Sequence, residues 1–347
     1  SNDLPEPEDG MVGGDVTGGG GDIAEDNTSG TPIVTSLVED ADGNTYTEAQ
    51  IRANNINRIL DNSLSLSELN FLSDSNNLNT TKEVEAFLFK NTTSEVKTFA
   101  KQAIKALANG GEVDFDDQII NKLTGKALCV YEKLKAMSTD FKSMIQKFDG
   151  EFPVSHLKLI MEDLGTTRGV TRAPDGAGTS PDYVITIALN NNSNIHGVGY
   201  RPDLITAKTI THEVIHAEMF RKLLSLAKQG NLNFTGWTAA EQKNYIMSIK
   251  DNFPGIYDYY TRYNWNTSTP NNTQHQQMAT HYRETIADIL QSFDNNQHSH
   301  PFYMDLAWEG LKYSNISTWS NLSQEEKDRI GKVIDDYINA NKNQNCQ

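Results

Sequence analysis

Two cysteines in 347 residues are too few for a disulfide-built scaffold or a four-thiolate metal cluster. Cys129 falls inside a helical stretch and Cys346 one residue from the end. The expectation is a buried thiol and a free one, a single bridge in an oxidising compartment being the other arrangement. Long apolar runs are missing too. Nothing approaches the roughly 20 residues that a membrane-spanning helix needs, so no span is expected. Basic runs and patches of arginine with aromatics are also absent, which excludes the usual electrostatic grip on phosphates; nucleic acid is not an expected partner. Lysine and arginine are missing altogether from residues 1 to 46, where 11 Asp and Glu stand. The net charge of −16 therefore belongs mostly to the start of the chain, and the other 301 residues carry only −5.

That start is rich in glycine, with Gly18 to Gly21 in a row, and poor in large apolar groups, so burial cannot offset the entropy of ordering it. Residues 1 to 46 are expected to be a disordered acidic tail. Such a stretch would suit the spacer behind a lipidated cysteine upstream of Ser1, and the chain is accordingly expected to be secreted or at the cell surface, as a lipoprotein.

Histidine is scarce as well, at 8 residues, which makes the run His212, Glu213, Val214, Ile215, His216 informative. By chance such a pattern would occur in roughly one chain of this kind in a hundred. Two histidines four apart lie one above the other on a helix and can share one Zn²⁺, while the glutamate beside the first can hold a water. Asp203 as N-cap beside Pro202, and Gly230 after the last apolar residue, bracket a helix of about two dozen residues. Ile205, His212, His216, Met219 and Leu223 share one face of it; Ile210, Val214, Ala217, Phe220 and Leu224 line others. A helix apolar nearly all round is a buried one, and buried polar groups left unpaired cost about 1 to 3 kcal/mol each. The bland reading is a pair of core histidines hydrogen-bonded to carbonyls; a metal would satisfy both histidines and the glutamate together.

A hydrolytic zinc site needs a third protein ligand and leaves the fourth position to water. The compact arrangement in which a histidine follows six residues after the second is excluded, because Lys222 stands there and Met219 replaces its glycine. The region 274 to 293 reads as a second helix that can supply the ligand. At 100° per residue His275 shares a stripe with Met278, Ala279, Tyr282, Ile286, Ile289 and Phe293, whereas Glu284 points away and His281 and Asp288 lie well off it. His275 is the first choice. Glu284, with Asp288 steadying a histidine, is the alternative third ligand, and His281 comes last.

From about Leu64 onward the chain resembles a group of Bacteroidetes proteins carrying an SprT-like zinc metallopeptidase domain. The pieces that carry the resemblance are FAKQAIKALANGGEVDFDDQIIN at 99 to 121, ALCVYEKLKA at 127 to 136, HEVIHAEMFRKL at 212 to 223, NFPGIYDYYTRY at 252 to 263 and QHQQMATHYRETIADILQSFD at 274 to 294. SprT-like domains proper carry glycine before the third histidine, where this chain has Gln274. The resemblance implies a zincin, with His212 and His216 on the metal, Glu213 as general base and His275 as third ligand.

The expected fold class is α+β: zincin-like, mainly helical with a small mixed sheet, behind the disordered tail. A small helical region is expected over 47 to 121 and the zincin-like domain over 122 to 347. Helices are expected at 48 to 62, 64 to 73, 80 to 90 and 93 to 109, over Leu128 to Phe148 closed by Gly150, and at about 301 to 312 and 323 to 340, the last opened by the capping box Ser323 to Glu326. His156 to Met161 and Tyr183 to Leu189 read as strands, the second being the expected sheet edge where a substrate chain could add itself. Tyr257, Tyr259, Tyr260, Tyr263, Tyr282 and Arg283 are candidate donors to a developing oxyanion. The expected function is hydrolysis of peptide bonds in a protein or peptide substrate by an exported or toxin-like enzyme. The alternatives are a zincin-fold binding module without turnover and a zinc amidase acting on a non-peptide or cell-wall amide.

Overall fold

A computed structural model describes residues 37–39, 44–90, 92–116, 118–146, 156–172, 184–228, 236, 238–249 and 273–346. It is an α+β structure, mostly helical, with a small mixed sheet. Strands β1 (Leu37–Glu39) and β2 (Thr45–Thr47) form an antiparallel pair, so order begins inside the stretch expected to be a disordered tail. The rest of that tail lies outside the described residues.

Four helices follow: α1 (Glu48–Ile59), α2 (Leu66–Ser73), α3 (Leu78–Lys90) and α4 (Ser94–Leu107). Capping boxes at Thr47 and Ser65 fix the starts of the first two by pairing the cap hydroxyl with the third backbone N–H and returning a Gln50 or Glu68 side chain. Their apolar faces meet in a core of Ala53, Ile56, Leu60, Leu72, Val84, Leu88, Ala100 and Ile104.

The second sheet runs in the order β3 (Glu112–Asp114), β4 (Ile119–Asn121), β5 (His156–Glu162), β7 (Val184–Asn190), β6 (Gly169–Arg172). β4, β5 and β7 are parallel, and β3 and β6 run antiparallel to their neighbours. β4 pairs with β5 and the Phe99 ring packs on His156 at 4.6 Å, so the chain on either side of residue 121 shares one sheet. The expected edge, Tyr183 to Leu189, is corrected by this order: Tyr183 lies outside the described residues, and β7 is flanked by β5 and β6. Its residues Ile185, Ile187, Ala188 and Leu189 are fully buried, as suits an interior strand covered on both faces. Among the described residues the edge beside β7 is β6, whose Gly-Val-Thr-Arg sequence carries too weak an alternation to be read as a strand.

Helix α7 (Asp203–Lys228) crosses this sheet and is buried on nearly every face, with Ile205, Ala207, Ile210, Val214, Ile215 and Ala217 all at 0% exposure. Asp203 is its first helical residue rather than its cap, and Gly230 lies outside the described residues. Helix α5 (Gly125–Met137) and α6 (Thr139–Gln146) replace the single helix expected from Leu128 to Phe148. Ser138 between them is extended (φ −119°, ψ 110°), and its hydroxyl accepts from the Phe141 N–H at 3.1 Å, which starts the second helix. Helix α8 spans Ala239–Ile249.

The expected second helix is continuous from Thr273 to Phe293 but not uniform: α9 (Thr273–Gln277) passes into a π-turn at Met278–Tyr282 and then α10 (Arg283–Phe293). Helices α11 (His300–Leu306), α12 (Ser317–Ser320) and α13 (Gln324–Asn341) complete the chain, the last with the expected Ser323–Glu326 capping box. After α13 the chain returns to the start of α7. Asn343 N–H donates to Tyr200 O at 2.8 Å, Lys126 Nζ donates to Gln344 O at 2.6 Å, and Cys346 is bonded to Cys129. The expectation of two unpaired thiols is thus corrected. Tertiary folding brings together residues 217 positions apart, a proximity that sequence spacing does not encode.

Candidate metal centre

Two turns of α7 place His212 and His216 on one face, and α9 brings His275 against them. The geometry is close: His216 Nε2 lies 3.2 Å from His212 Nε2 and 3.1 Å from His275 Nε2. A tetrahedral zinc with bonds of about 2.0 to 2.1 Å holds its nitrogen ligands about 3.3 Å apart, so the three imidazoles are spaced to share one ion. Neutral hydrogen bonding does not account for the arrangement as well. His216 Nδ1 is 2.6 Å from Gln274 Oε1, an acceptor that assigns the proton to Nδ1 and leaves a lone pair on Nε2. One lone pair cannot accept from both neighbours, whereas a cation at the centre engages all three.

Electrostatics favour the neutral, ligating form of His212. Burial, then the charge of Lys208, then the neighbouring His216, His275 and Arg168 hold its pKa well below the usual histidine range. Its Nδ1 is buried with no hydrogen-bond partner among the described residues. Gly310, at φ +85°, passes beside this ring. A Cβ there would stand 3.3 Å from Lys208 Nζ and 3.5 Å from His212 Cε1, so glycine serves both the left-handed backbone and the close approach.

Glu213 is buried and lies under the edge strand. Its Oε2 accepts from Thr171 Oγ1 at 2.7 Å. A side chain at Gly169 would meet Glu213 Cγ at 3.0 Å and Thr209 Cγ2 at 3.1 Å, so the bare backbone of β6 rests directly on the carboxylate. Gly169 and Thr171, two apart on the strand, both face α7, and β6 becomes one wall of a cleft of about 340 Å³ whose lining includes His212, Glu213, His216 and His275. Glu309, Gly310 and Tyr313 line it as well. The Tyr313 ring lies 5.4 Å from that of His275.

The other candidates fall elsewhere. Glu284 lies on the outer face of α10, where Oε1 is 3.0 Å from His300 Nε2, with Asp288 alongside. His281 is exposed. Arg283 lies over the Trp308 ring at 4.0 Å and Tyr282 packs against the core; neither lines the cleft. Tyr257, Tyr259, Tyr260 and Tyr263 lie outside the described residues.

Four contributors were not legible in the sequence: Gln274, Thr171, Tyr313 and Glu309. Gln274 had the clearest signal, a polar residue next to a candidate ligand. Glu309 is buried among Lys208, Arg201 and Arg168: Arg201 Nη2 is at 2.8 Å, Arg168 Nη1 at 2.5 Å, and Lys208 pairs with it as well. Burial alone would raise its carboxyl pKa, but Lys208, Arg201 and Arg168 together pull it down to about 2. Comparison with known proteins returns no matching family model, no matching curated protein and no matching solved structure.

Proposed function

We propose that this chain is a zinc-dependent metallopeptidase of zincin type that hydrolyses peptide bonds in a protein substrate. The observation that carries the reading is the convergence of three imidazole Nε2 atoms beside a buried carboxylate at the bottom of a cleft walled by a sheet edge. His212, His216 and His275 would hold the ion. Zinc bound there supplies Lewis-acid polarisation of the scissile carbonyl and acidifies a water.

The protein's own groups do the rest. An extended substrate adds to the outer edge of β6 by backbone hydrogen bonds, which lays its chain across Glu213. Glu213 takes a proton from the attacking water and returns it to the leaving amine, while Thr171 holds the carboxylate in place. Gln274 fixes the tautomer and tilt of His216. Tyr313, on the cleft wall, brings a phenol that can donate to the developing oxyanion.

The disulfide between Cys129 and Cys346 supports export to an oxidising compartment. No helix among the described residues is long and apolar enough to cross a membrane. The test is metal analysis of purified protein together with cleavage of unfolded proteins and a peptide library. One zinc per chain and turnover are expected. Glu213→Gln should keep the metal and lose on the order of 10²- to 10⁴-fold in kcat. A wild-type chain that takes up no zinc ends the reading, and a zinc-loaded chain without turnover makes it a binding module instead.

A further inference from the structure

Beside the three histidines lies a charge cluster, partly in the cleft wall, that the hydrolytic reading does not use. Around Glu309 stand three cations, Lys208, Arg201 and Arg168, so one carboxylate faces three positive groups. Lys208 and Arg201 are sealed, with side chains 3% and 6% exposed. Arg168 differs, because its side chain is 39% exposed and it lines the cleft immediately before the edge strand. Glu309 takes one of its bonds, through Nη1; Nε is buried without a partner among the described residues, so the exposed end of the guanidinium is what meets the cleft.

A guanidinium of this kind keeps part of its planar fork for a second acceptor, and the fork matches a carboxylate in two parallel hydrogen bonds. The charges behind it favour the same ligand, because Lys208, Arg201 and Arg168 outnumber the one carboxylate, Glu309, that they share. Position decides what the anion is attached to. Gly169, the next residue, rests on Glu213, so a substrate strand paired with β6 passes Arg168 within a residue or two of the bond that Glu213 serves.

We propose that Arg168 is a specificity-determining residue that recognises a substrate carboxylate close to the cleaved bond. This rests on the peptidase reading for its location but not for its test. The carboxylate has two sources, an internal Asp or Glu side chain and a free C-terminus, and both are carboxylates to the guanidinium.

The experiment compares zinc-loaded wild type with Arg168→Gln on three matched peptide sets: Asp or Glu on either side of the cleaved bond, the same peptides with Asn or Gln, and short peptides ending in a free carboxylate or an amide. Binding of the same peptides to zinc-loaded Glu213→Gln, with and without Arg168→Gln, is read by fluorescence anisotropy. Wild type should favour the carboxylate over its amide isostere by at least about tenfold in kcat/KM and in binding. Arg168→Gln should flatten that ratio to within about twofold to threefold. Which set carries the preference identifies the source. Arg168→Lys, which keeps the charge and loses the fork, should retain only part of it, and it serves as the second variant if Arg168→Gln does not fold. Equal handling of acid and amide by wild type, or a preference that survives in Arg168→Gln, overturns the proposal. If nothing is cleaved the peptidase reading fails, and the anisotropy ratios still decide the role of Arg168.

Discussion

Among the described residues, two clusters bring three metal-capable side chains within 4.8 Å of one another: His212, His216 and His275, and Glu284, Asp288 and His300. By proximity they are equal. They differ in what else can satisfy them. The first lies at the bottom of a cleft, with its three Nε2 atoms facing one another. The second stands on the outer face of α10, with side chains 66%, 48% and 35% exposed. There His300 already has Glu284 on one nitrogen and Gln291 on the other, at 3.0 and 2.9 Å, and water reaches the carboxylates. Exposed charge pairs of this kind contribute roughly 0 to 1 kcal/mol. In the first cluster His212 is buried with Nδ1 unpartnered among the described residues, and water has less access to the facing nitrogens, so a cation changes their energy far more.

The contrast can be broken most directly by metal analysis of single variants. His275→Ala should lower zinc affinity by on the order of 10³-fold, since one of three ligands is gone, whereas Glu284→Ala should leave stoichiometry and affinity unchanged. Loss of zinc in the second variant but not the first would transfer the metal to the exposed cluster.

The same logic extends to Glu309, buried beside the histidines. Glu309→Gln leaves three cations without their carboxylate and should cost about 3 to 5 kcal/mol of stability, against less than about 0.5 kcal/mol for Glu284→Gln on the surface. Chemical denaturation of the two variants measures both. Acid sharpens the point. The folded pKa of Glu309, about 2, lies below its ordinary 4.5, so its contribution is complete above 4.5 and is lost as pH falls from there toward 2. Wild type should lose stability by a few kcal/mol across that window, and Glu309→Gln should show a shallower slope. Parallel slopes would mean that the carboxylate is not held low.

The smallest expected effect concerns Gln274. Gln274→Leu removes the acceptor that orients His216 and should weaken zinc binding about 10- to 100-fold without unfolding the chain. Isothermal titration against a competing chelator resolves this. An unchanged affinity would show that packing alone sets the ring.

How much of this could be read from residues follows from the range of each interaction. The helix carrying His212, Glu213 and His216 was legible because helical spacing and an apolar run are local signals. The stripe that favoured His275 over Glu284 was legible too, although it assumed a regular helix and the chain makes a π-turn just after the histidine. The wide turn lies next to the candidate ligand, as such turns often do at functional sites. Gly-Val-Thr-Arg gave too little pattern to reveal β6, and the expected edge went to the more hydrophobic strand beside it. An interior strand is the more apolar one because both its faces are covered.

The sequence by itself determined the elements whose evidence is repeated within a few residues: the capped helices, the buried helix with its two histidines and a glutamate, and the acidic opening stretch. Only the tertiary structure decided which distant groups meet. It set Gln274 on His216, Thr171 and Gly169 on Glu213, three cations on Glu309, and Cys346 on Cys129. These contacts join residues tens to hundreds of positions apart, and their partners are chosen by how the sheet and helices pack. Periodicity records which face of an element is buried, but it carries no address for what lies across from it.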